Sequence, residues 1–404
     1  MARFDPFPAI RYDLERNDLG RVLAPPYDVI DASQRAELAG RDEHNAVRID
    51  LPDEAEGDGR YATARDLLQA WLADGTLVVD PGPPFPVYRM TTPDEAGVER
   101  RTTGVLGALE LSPPGTDILP HEHTTKKAKS DRLDLLRSTR SNLSAIWGLS
   151  LAKGLTDLLP VDDAPLADVV DEDGVRHTVW RIAEPGPFLD AFRSVPHAYV
   201  ADGHHRSASA WRAGRELRRA PAQHRGDGEY NWFLAVLFPA EQLRILPYNR
   251  LVRDLGGLEP PEVLARLAQV GQVSVTGEPS PPRPAAFGVF LMNCWYRLEL
   301  DERTIDRSDP IRSLDVSLLQ DRVLAPILGV GDPRTDTRID FVGGIRGTAE
   351  LERRVRSGGM AIAFALYPTT VEQLMAVADA GKIMPPKSTW FEPKLRSGLF
   401  VHTL

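Results

Sequence analysis

The spacing of hydrophobic and polar positions along the chain predicts which stretches form helices and which form strands. Helices are predicted over residues 61–74, 131–140, 204–219, 261–270, 314–328 and 370–380. Alternating or continuous apolar runs predict strands over residues 45–51, 87–90, 101–111, 141–148, 197–201, 230–238, 243–252, 287–292, 295–300 and 361–366. Because helices and strands interleave along the chain, we expect an α/β (α+β) fold.

Glycine and proline mark where these elements end. The chain contains 34 prolines and 32 glycines, and they concentrate between residues 254 and 286. This change of composition predicts a domain boundary. We therefore expect an N-terminal part, residues 1–255, and a smaller α/β C-terminal part, residues 256–404. The acidic stretch 154–176, which two prolines interrupt, is expected to be a surface excursion.

Composition and charge narrow the function. With 404 residues, 42% hydrophobic and 26% charged, the chain can bury a large core. Its net charge of −10 argues against binding along a nucleic-acid backbone. A single cysteine, Cys294, excludes an internal disulfide and a cysteine-based zinc finger. We find neither an apolar leader nor a run long enough to cross a bilayer, so we expect a cytoplasmic protein without a membrane partner.

The most informative stretch is residues 200–211, where an apolar strand stops at Asp202 and Gly203 and an alanine-rich helix begins. Backbone N–H groups and the positive end of a helix meet at such a turn, so it favours anion binding. Arg206 adds a bidentate donor, Asp202 is a candidate metal ligand, and His204 and His205 offer donors, ligands or a base. The alternative is an ordinary β-turn with a capping aspartate.

A second polar stretch spans residues 118–132 and opens at a proline. Glu122 is a candidate general base or Mg²⁺ ligand, and His121 is a further candidate catalytic group. Lys126 and Arg132 are candidate phosphate-binding cations. The alternative is a solvated charged loop that leads into the helix 131–140, with Ser130 or Asp131 as its N-cap.

Two proline-fixed loops complete the candidate chemistry. The pair Pro25-Pro26 excludes a helix or central strand, so Tyr27 and Asp28 belong to a rigid loop, and Asp28 is a further candidate base. Near the end of the chain, Pro385-Pro386 introduces the cation Lys387 and the hydroxyl of Ser388, which are candidate nucleotide- or phosphate-binding groups, and Lys394 and Arg396 follow. We expect this final loop, residues 384–396, to return to the site; a terminal strand tied into the sheet is the alternative.

Several of these motifs occur in an order that resembles the DUF1015 family. They are Ala-Pro-Pro-Tyr27-Asp28-Val, the box from His121 to Thr124, Asp131-Arg132, Ala201-Asp-Gly-His-His-Arg206, the run 314–319 and Met384-Pro-Pro-Lys-Ser-Thr389. The resemblance covers nearly the whole chain, although the family commonly has lysine where this chain has His123. The family has no settled activity.

The run Asp202–Arg206 is also similar to the ParB/sulfiredoxin superfamily, which places a Gly-x-x-Arg turn at a helix start. This resemblance implies a ParB/sulfiredoxin-like N-terminal part with a mixed sheet and nucleotide phosphates bound at the turn. The superfamily includes DNA-segregation clamps, sulfiredoxin and kinases of free L-serine. Walker A, glycine-rich kinase and dinucleotide-binding signatures are missing from the sequence.

Three functions remain open. The first is a small-molecule kinase with ATP or another nucleotide on residues 203–206, Mg²⁺ on Asp202, and Glu122 drawing the proton from a substrate hydroxyl, with free L-serine as the first candidate substrate. The second is a nucleotide-gated binding protein of the ParB type. The third is a metal-dependent hydrolase with His121, His123, His204 and His205 as ligands. The sequence leaves the phosphate acceptor, the nucleotide and the oligomeric state undecided.

Overall fold

The computed structural model describes residues 3–80, 85–93, 98–122, 126–159, 164–182, 186–195, 197–219 and 228–404. For residues 126–129 and 182 it describes the backbone only.

The chain divides into two compact units. The first contains residues 1–120, 124–243 and 393–404, and the second contains residues 121–123 and 244–392. The units therefore divide near residue 243. The boundary predicted from the sequence lies twelve residues later, after residue 255. The last twelve residues also belong to the first unit.

The first unit is built around a mixed sheet. Within the described residues this sheet has nine strands in the order β6-β11-β8-β12-β5-β4-β10-β9, with β1 paired to β5. Pairs β6–β11 and β8–β12 are parallel and the other pairs are antiparallel. The strands of this unit are β1 (Phe4–Asp5), β2 (Ile10–Tyr12), β3 (Leu77–Val79), β4 (Phe85–Pro93), β5 (Glu99–Glu110), β6 (Ile118–Leu119), β7 (Ser141–Asn142), β8 (Ile146–Ser150), β9 (Ala167–Val170), β10 (Arg176–Ile182), β11 (Ala198–Asp202), β12 (Trp232–Pro239) and, last in the chain, β21 (His402–Thr403).

The helices of the first unit are mostly amphipathic. They are α1 (Leu19–Val22), α2 (Ala32–Arg41), α3 (Val47–Asp50), α4 (Arg60–Ala73), α5 (Lys126–Thr139), α6 (Gly186–Arg193) and α7 (His204–Arg218). Ala210 and Ala213 of α7 pack in the same buried cluster as Val200 of β11 and Ala235 of β12. Small side chains at these positions let α7 approach the buried cluster closely, which fixes where its first turn lies.

The second unit carries an antiparallel sheet in the order β15-β17-β16-β19-β14-β18. Its elements are β13 (Arg244–Leu246), β14 (Tyr248–Val252), α8 (Pro260–Val270), β15 (Gly271–Val275), β16 (Ala286–Leu291), β17 (Cys294–Leu300), α9 (Asp315–Leu319), β18 (Ile339–Gly343), α10 (Gly347–Arg356), β19 (Ile362–Leu366), α11 (Val371–Asp379) and β20 (Trp390–Glu392). Strand β20 pairs separately with β13.

The predicted mixed α/β class is confirmed, and so are most predicted elements. The predictions for residues 61–74, 101–111, 230–238, 261–270 and 370–380 each match an observed element of the same type within about two residues at each end. Strand β12 shows why the continuous apolar run was informative, because it is buried from Phe233 to Pro239 between two neighbouring strands.

Some predictions of local structure are wrong. Residues 47–50 form a helical turn rather than a strand, with Ala46 as its N-cap residue, and the Val47 N–H donates to Asn45 Oδ1 over 3.0 Å. Helix α5 starts at Lys126, so neither Ser130 nor Asp131 is its N-cap. The predicted helix 314–328 is α9 followed by a π-helical turn, Gln320–Leu324. The described residues of the stretch 154–176 are mostly exposed or half-buried, as predicted, and they also contain the edge strand β9 and the start of β10.

In the part of the chain that the structure describes, no helix is both long and apolar enough to cross a membrane.

Candidate functional site

The junction between β11 and α7 is the best-defined candidate site, and it lies within the first unit. Strand β11 pairs with β8 through a register shift between Val200 and Asp202. A bulge of this kind redirects the side chains that follow it. Asp202 therefore ends the strand with its carboxylate turned back on the chain, where Oδ1 accepts a hydrogen bond from the Gly203 N–H over 3.0 Å.

Gly203 makes the turn from strand to helix possible. Its φ is +95°, a left-handed conformation that disfavours any residue with a Cβ atom. A Cβ atom here would lie 2.9 Å from Ile146 Cγ2 and 3.1 Å from both Nε and Nη2 of Arg206. The glycine therefore serves the backbone turn and also leaves room for the Arg206 guanidinium.

Helix α7 begins at His204, directly after this glycine. The first N–H groups of a helix have no partner inside the helix, and Gly203, its N-cap residue, has no side chain to cap them. The Ser207 N–H bonds to the Gly203 carbonyl over 2.9 Å, which closes the first turn. The turn thus directs backbone donors and the positive helix end to one place.

Two cations lie beside this turn. Arg206 Nη1 donates to the Ala145 carbonyl, and its Nε is buried without a hydrogen-bond partner among the described residues. Lys394 Nζ lies 3.2 Å from Asp202 Oδ2, and both side chains of this pair are 17% exposed. Burial alone would raise the pKa of Asp202, but the charges of Lys394 and Arg206 outweigh it and hold that pKa below its usual range. Asp202 is therefore ionised at neutral pH.

Tyr27 lies close to two guanidinium groups. Arg132 stands over its ring at 4.1 Å from the centroid and Arg206 at 6.0 Å. Burial is the largest cause that raises the pKa of the Tyr27 hydroxyl, and the negative charge of Asp28 raises that pKa further. The phenol therefore stays neutral. Asp28 itself is exposed. The Pro-Pro loop thus supplies an aromatic wall beside Arg206.

Arg132 is held by a buried network. Its Nη2 and Nε donate to Asp131 Oδ2 over 2.7 and 2.9 Å, and its Nη1 donates to the Asp50 carbonyl over 2.6 Å. The side chain is 4% exposed. All three guanidinium nitrogens have protein acceptors, so this geometry favours a supporting role for Arg132 beneath Tyr27. Its predicted contact with phosphate stays a prediction.

A small polar cavity of about 40 Å³ lies behind the turn and is lined by Asp50, Arg132, Ser144, Arg206 and Ser209, among others. This volume holds water molecules but not a nucleotide.

Four further predicted site residues belong to the second unit: His121, Glu122, Lys387 and Ser388. His121 is buried, with Nε2 3.3 Å from Thr389 Oγ1, and its ring meets Phe391 edge-on. Its carbonyl accepts from the Met384 N–H over 2.9 Å. His121 therefore packs against the loop that follows Pro385-Pro386, although this loop is more than 260 residues away in the sequence.

The remaining residues of that loop have structural contacts. Ser388 Oγ donates to the Pro385 carbonyl over 2.7 Å, and the Lys387 ammonium lies 5.2 Å from the centroid of the Tyr248 ring. Glu122 is half-buried. The roles predicted for Glu122, His121, Lys387 and Ser388 stay predictions, as do those for Asp28, His204 and His205. The side chain of Lys126 and the whole of His123 lie outside the described residues.

Metal binding has limited support. Among the residues that the structure describes, no three or more His, Cys, Asp or Glu side chains form a group that could hold a metal ion. A metal-dependent hydrolase with histidine ligands would need several histidines close together, and the described histidines do not form such a group.

The fold and this junction place the protein among mixed α/β proteins with a candidate site at a strand-to-helix turn. The chain belongs to the DUF1015 family: the model of that family, described as "Protein of unknown function (DUF1015)", matches residues 4–317. This confirms the predicted family. The run 384–389 lies beyond the matched residues.

Solved structures with some similarity include three that we report. They are a free serine kinase in complex with AMP (13% identity, TM-score 0.35, 70% of this chain and 89% of that chain), SbnI with C-terminal truncation from Staphylococcus aureus (12%, 0.38, 71% and 82%), and a conserved hypothetical protein from Pyrococcus furiosus (12%, 0.34, 70% and 92%). Values this low carry no argument about this chain. No curated protein matches the sequence.

Proposed function

We propose that the β11–α7 junction binds the phosphate of a nucleotide and that the protein is a nucleotide-dependent phosphotransferase. The observation that carries the first part is Arg206, whose guanidinium lies against Gly203 at the helix start with a buried Nε that lacks a partner among the described residues. A glycine turn, a helix N-terminus and an arginine are the groups that bind phosphate in many unrelated proteins.

The second part of the proposal concerns the reaction. It is supported by the similarity of Asp202–Arg206 to the superfamily that includes kinases of free L-serine. In such a transfer, the substrate hydroxyl oxygen forms a bond to the γ-phosphorus, the bond to the bridging oxygen of the nucleotide breaks, and the hydroxyl proton passes to a base. Positioning and cations supply most of the catalysis, and Arg206 and Lys394 are two described cations beside the turn.

Magnesium enters this proposal with the nucleotide. Mg²⁺ in phosphotransferases is usually held by one or two carboxylates together with substrate phosphates. Asp202 is ionised and provides one carboxylate, so it fits a Mg²⁺ ion that arrives on the nucleotide better than a permanent protein-only metal site. Glu122 remains the proposed base, and free L-serine the first proposed acceptor.

A thermal-shift series tests the binding part of the proposal. Because a ligand that binds only the folded state raises its stability by RT ln(1 + [L]/Kd), ATP or ADP with Mg²⁺ at 100 times Kd should add about 2.7 kcal/mol. Nucleosides without phosphate should add nothing. A melting temperature that no nucleotide changes would contradict the proposal.

The activity part needs a separate assay. ADP release from ATP should depend on an added hydroxyl compound, with L-serine tested first in a panel of amino acids and L-alanine as the matched compound without a hydroxyl. Release that is equal with both amino acids would remove serine as the acceptor. Nucleotide binding with no turnover for any acceptor would favour the nucleotide-gated binding protein.

A further inference from the structure

The last twelve residues of the chain are fixed in register on the first unit. Ser397 exchanges two backbone hydrogen bonds with Ala24, at 3.2 and 2.8 Å, and Val401 exchanges two with Ile10, at 3.0 and 2.8 Å. Strand β21 then pairs with β7. Lys394 is three residues from Ser397, so its backbone position is determined closely.

The side chains next to Lys394 are committed to buried structural contacts. Arg396 pairs with Asp171, and its Nη2 lies 2.7 Å from Asp173 Oδ2. Ser397 Oγ donates to the buried Asp50 over 2.6 Å. These contacts anchor the segment on both its backbone and its side chains.

Lys394 differs from these neighbours because its pair with Asp202 is reached by solvent. Lys394 Nζ lies 3.2 Å from Asp202 Oδ2, and each side chain of the pair is 17% exposed. Asp202 is the last residue of β11 and directly precedes Gly203. Arg206 and Lys394 carry two positive charges here and Asp202 carries one negative charge. An ammonium group that solvent reaches therefore lies beside the carboxylate that ends β11.

We propose that Lys394 contacts the phosphate bound at the β11–α7 junction and that Asp202 holds it in place while the junction is empty. This inference rests on the proposed phosphate site. An ammonium group has three donors on a flexible stem, so Lys394 can keep one hydrogen bond to Asp202 and still donate to a phosphate oxygen. Residues 393–404 lie beyond the part of the chain that the family model matches, so the segment adds a group to the site that the family match does not include.

Removing the lysine alone would give an ambiguous result. Lys394→Ala leaves the Asp202 carboxylate without this partner, and a bare carboxylate repels phosphate whether or not the lysine touches it. The test therefore compares Asp202→Asn with the double variant Asp202→Asn/Lys394→Ala. Because neither variant has the carboxylate, the difference between their ADP affinities reports the effect of the lysine.

The measurement is ADP affinity by calorimetry at several salt concentrations. If Lys394 contacts the phosphate, adding Lys394→Ala to Asp202→Asn should weaken ADP binding at least tenfold and reduce its dependence on salt, whereas Asp202→Asn/Lys394→Arg should bind ADP within a few-fold of Asp202→Asn. Lys382→Ala is the matched control, since Lys382 forms a similar pair with Asp309 at 3.3 Å in the second unit. That control should leave ADP affinity unchanged.

The outcomes separate this inference from the proposed function. If Arg206→Ala loses ADP affinity while the lysine change has no effect in the Asp202→Asn background, the role of Lys394 is overturned and the phosphate site stands. If the unaltered protein binds neither ADP nor pyrophosphate, both are overturned.

Discussion

Replacing Gly203 by alanine tests the β11–α7 junction through the geometry of a single carbon atom. The left-handed backbone at this position costs a residue with a Cβ about 1–2 kcal/mol. The new methyl group would also lie 2.9 Å from Cγ2 of Ile146, a buried side chain in β8 that has little room to move, and overpacking of this kind costs about 1–3 kcal/mol. We therefore expect the free energy of unfolding to fall by about 2–5 kcal/mol.

The same methyl group would reach to 3.1 Å from the Arg206 guanidinium, so the arginine must shift. We expect ADP affinity to fall at least tenfold, the size of one hydrogen bond to a charged group. Gly154 provides the control, since its φ is also positive, +73°, but a Cβ there would meet nothing within 4 Å. Gly154→Ala should cost only the backbone term, about 1–2 kcal/mol, and keep ADP affinity.

Urea unfolding and calorimetric titration of both variants decide the matter. The reasoning would be refuted if Gly203→Ala lost no more stability than Gly154→Ala and bound ADP as tightly as the unaltered protein.

Three further predictions concern other parts of the molecule. Glu122→Gln should lower turnover at least about 100-fold with unchanged ADP affinity if Glu122 is the general base; parent-like turnover would place the base elsewhere. Burial raises the pKa of Asp315 to about 7. The folded state therefore keeps a proton that the unfolded chain releases near pH 4, so the free energy of unfolding should fall as pH rises from about 4 to 7. Asp315→Asn should abolish that fall in urea unfolding at pH 5 and 8, and an equal decline in both proteins would argue against the assignment. Ser397→Ala removes a donor to the buried Asp50 and should cost about 1–3 kcal/mol in urea unfolding; a cost near zero would mean that this contact is not needed.

Local patterns predicted much of this fold because they report local physics. The apolar run of β12 and the glycine between β11 and α7 act through their immediate neighbours, and both were predicted correctly in type. The alternation in residues 45–51 misled, because the helical turn Val47–Asp50 has only four residues, a span too short for periodicity to decide.

Contacts between distant residues could not be predicted in the same way. The sequence contains Lys394 as one cation in a proline-flanked tail, but its pairing with Asp202 spans 192 positions and depends on how β21 and the Ala24 bridge fix the tail. Arg132 shows the same limit. Its contact with the Asp50 carbonyl spans 82 positions and can be recognised only after the chain has folded, while its predicted contact with phosphate stays a prediction.

The central claim is that Arg206 binds phosphate, and calorimetric titration of ADP into matched arginine variants tests it most directly. Arg212 lies on the same helix, its side chain is 63% exposed, and it forms a surface ion pair with Glu216. Arg212→Ala therefore controls for the loss of one positive charge from α7. We predict that Arg206→Ala folds normally and loses about 1.5–3 kcal/mol of ADP binding free energy, while Arg212→Ala binds as the unaltered protein does. A folded Arg206→Ala variant with full ADP affinity would contradict the account.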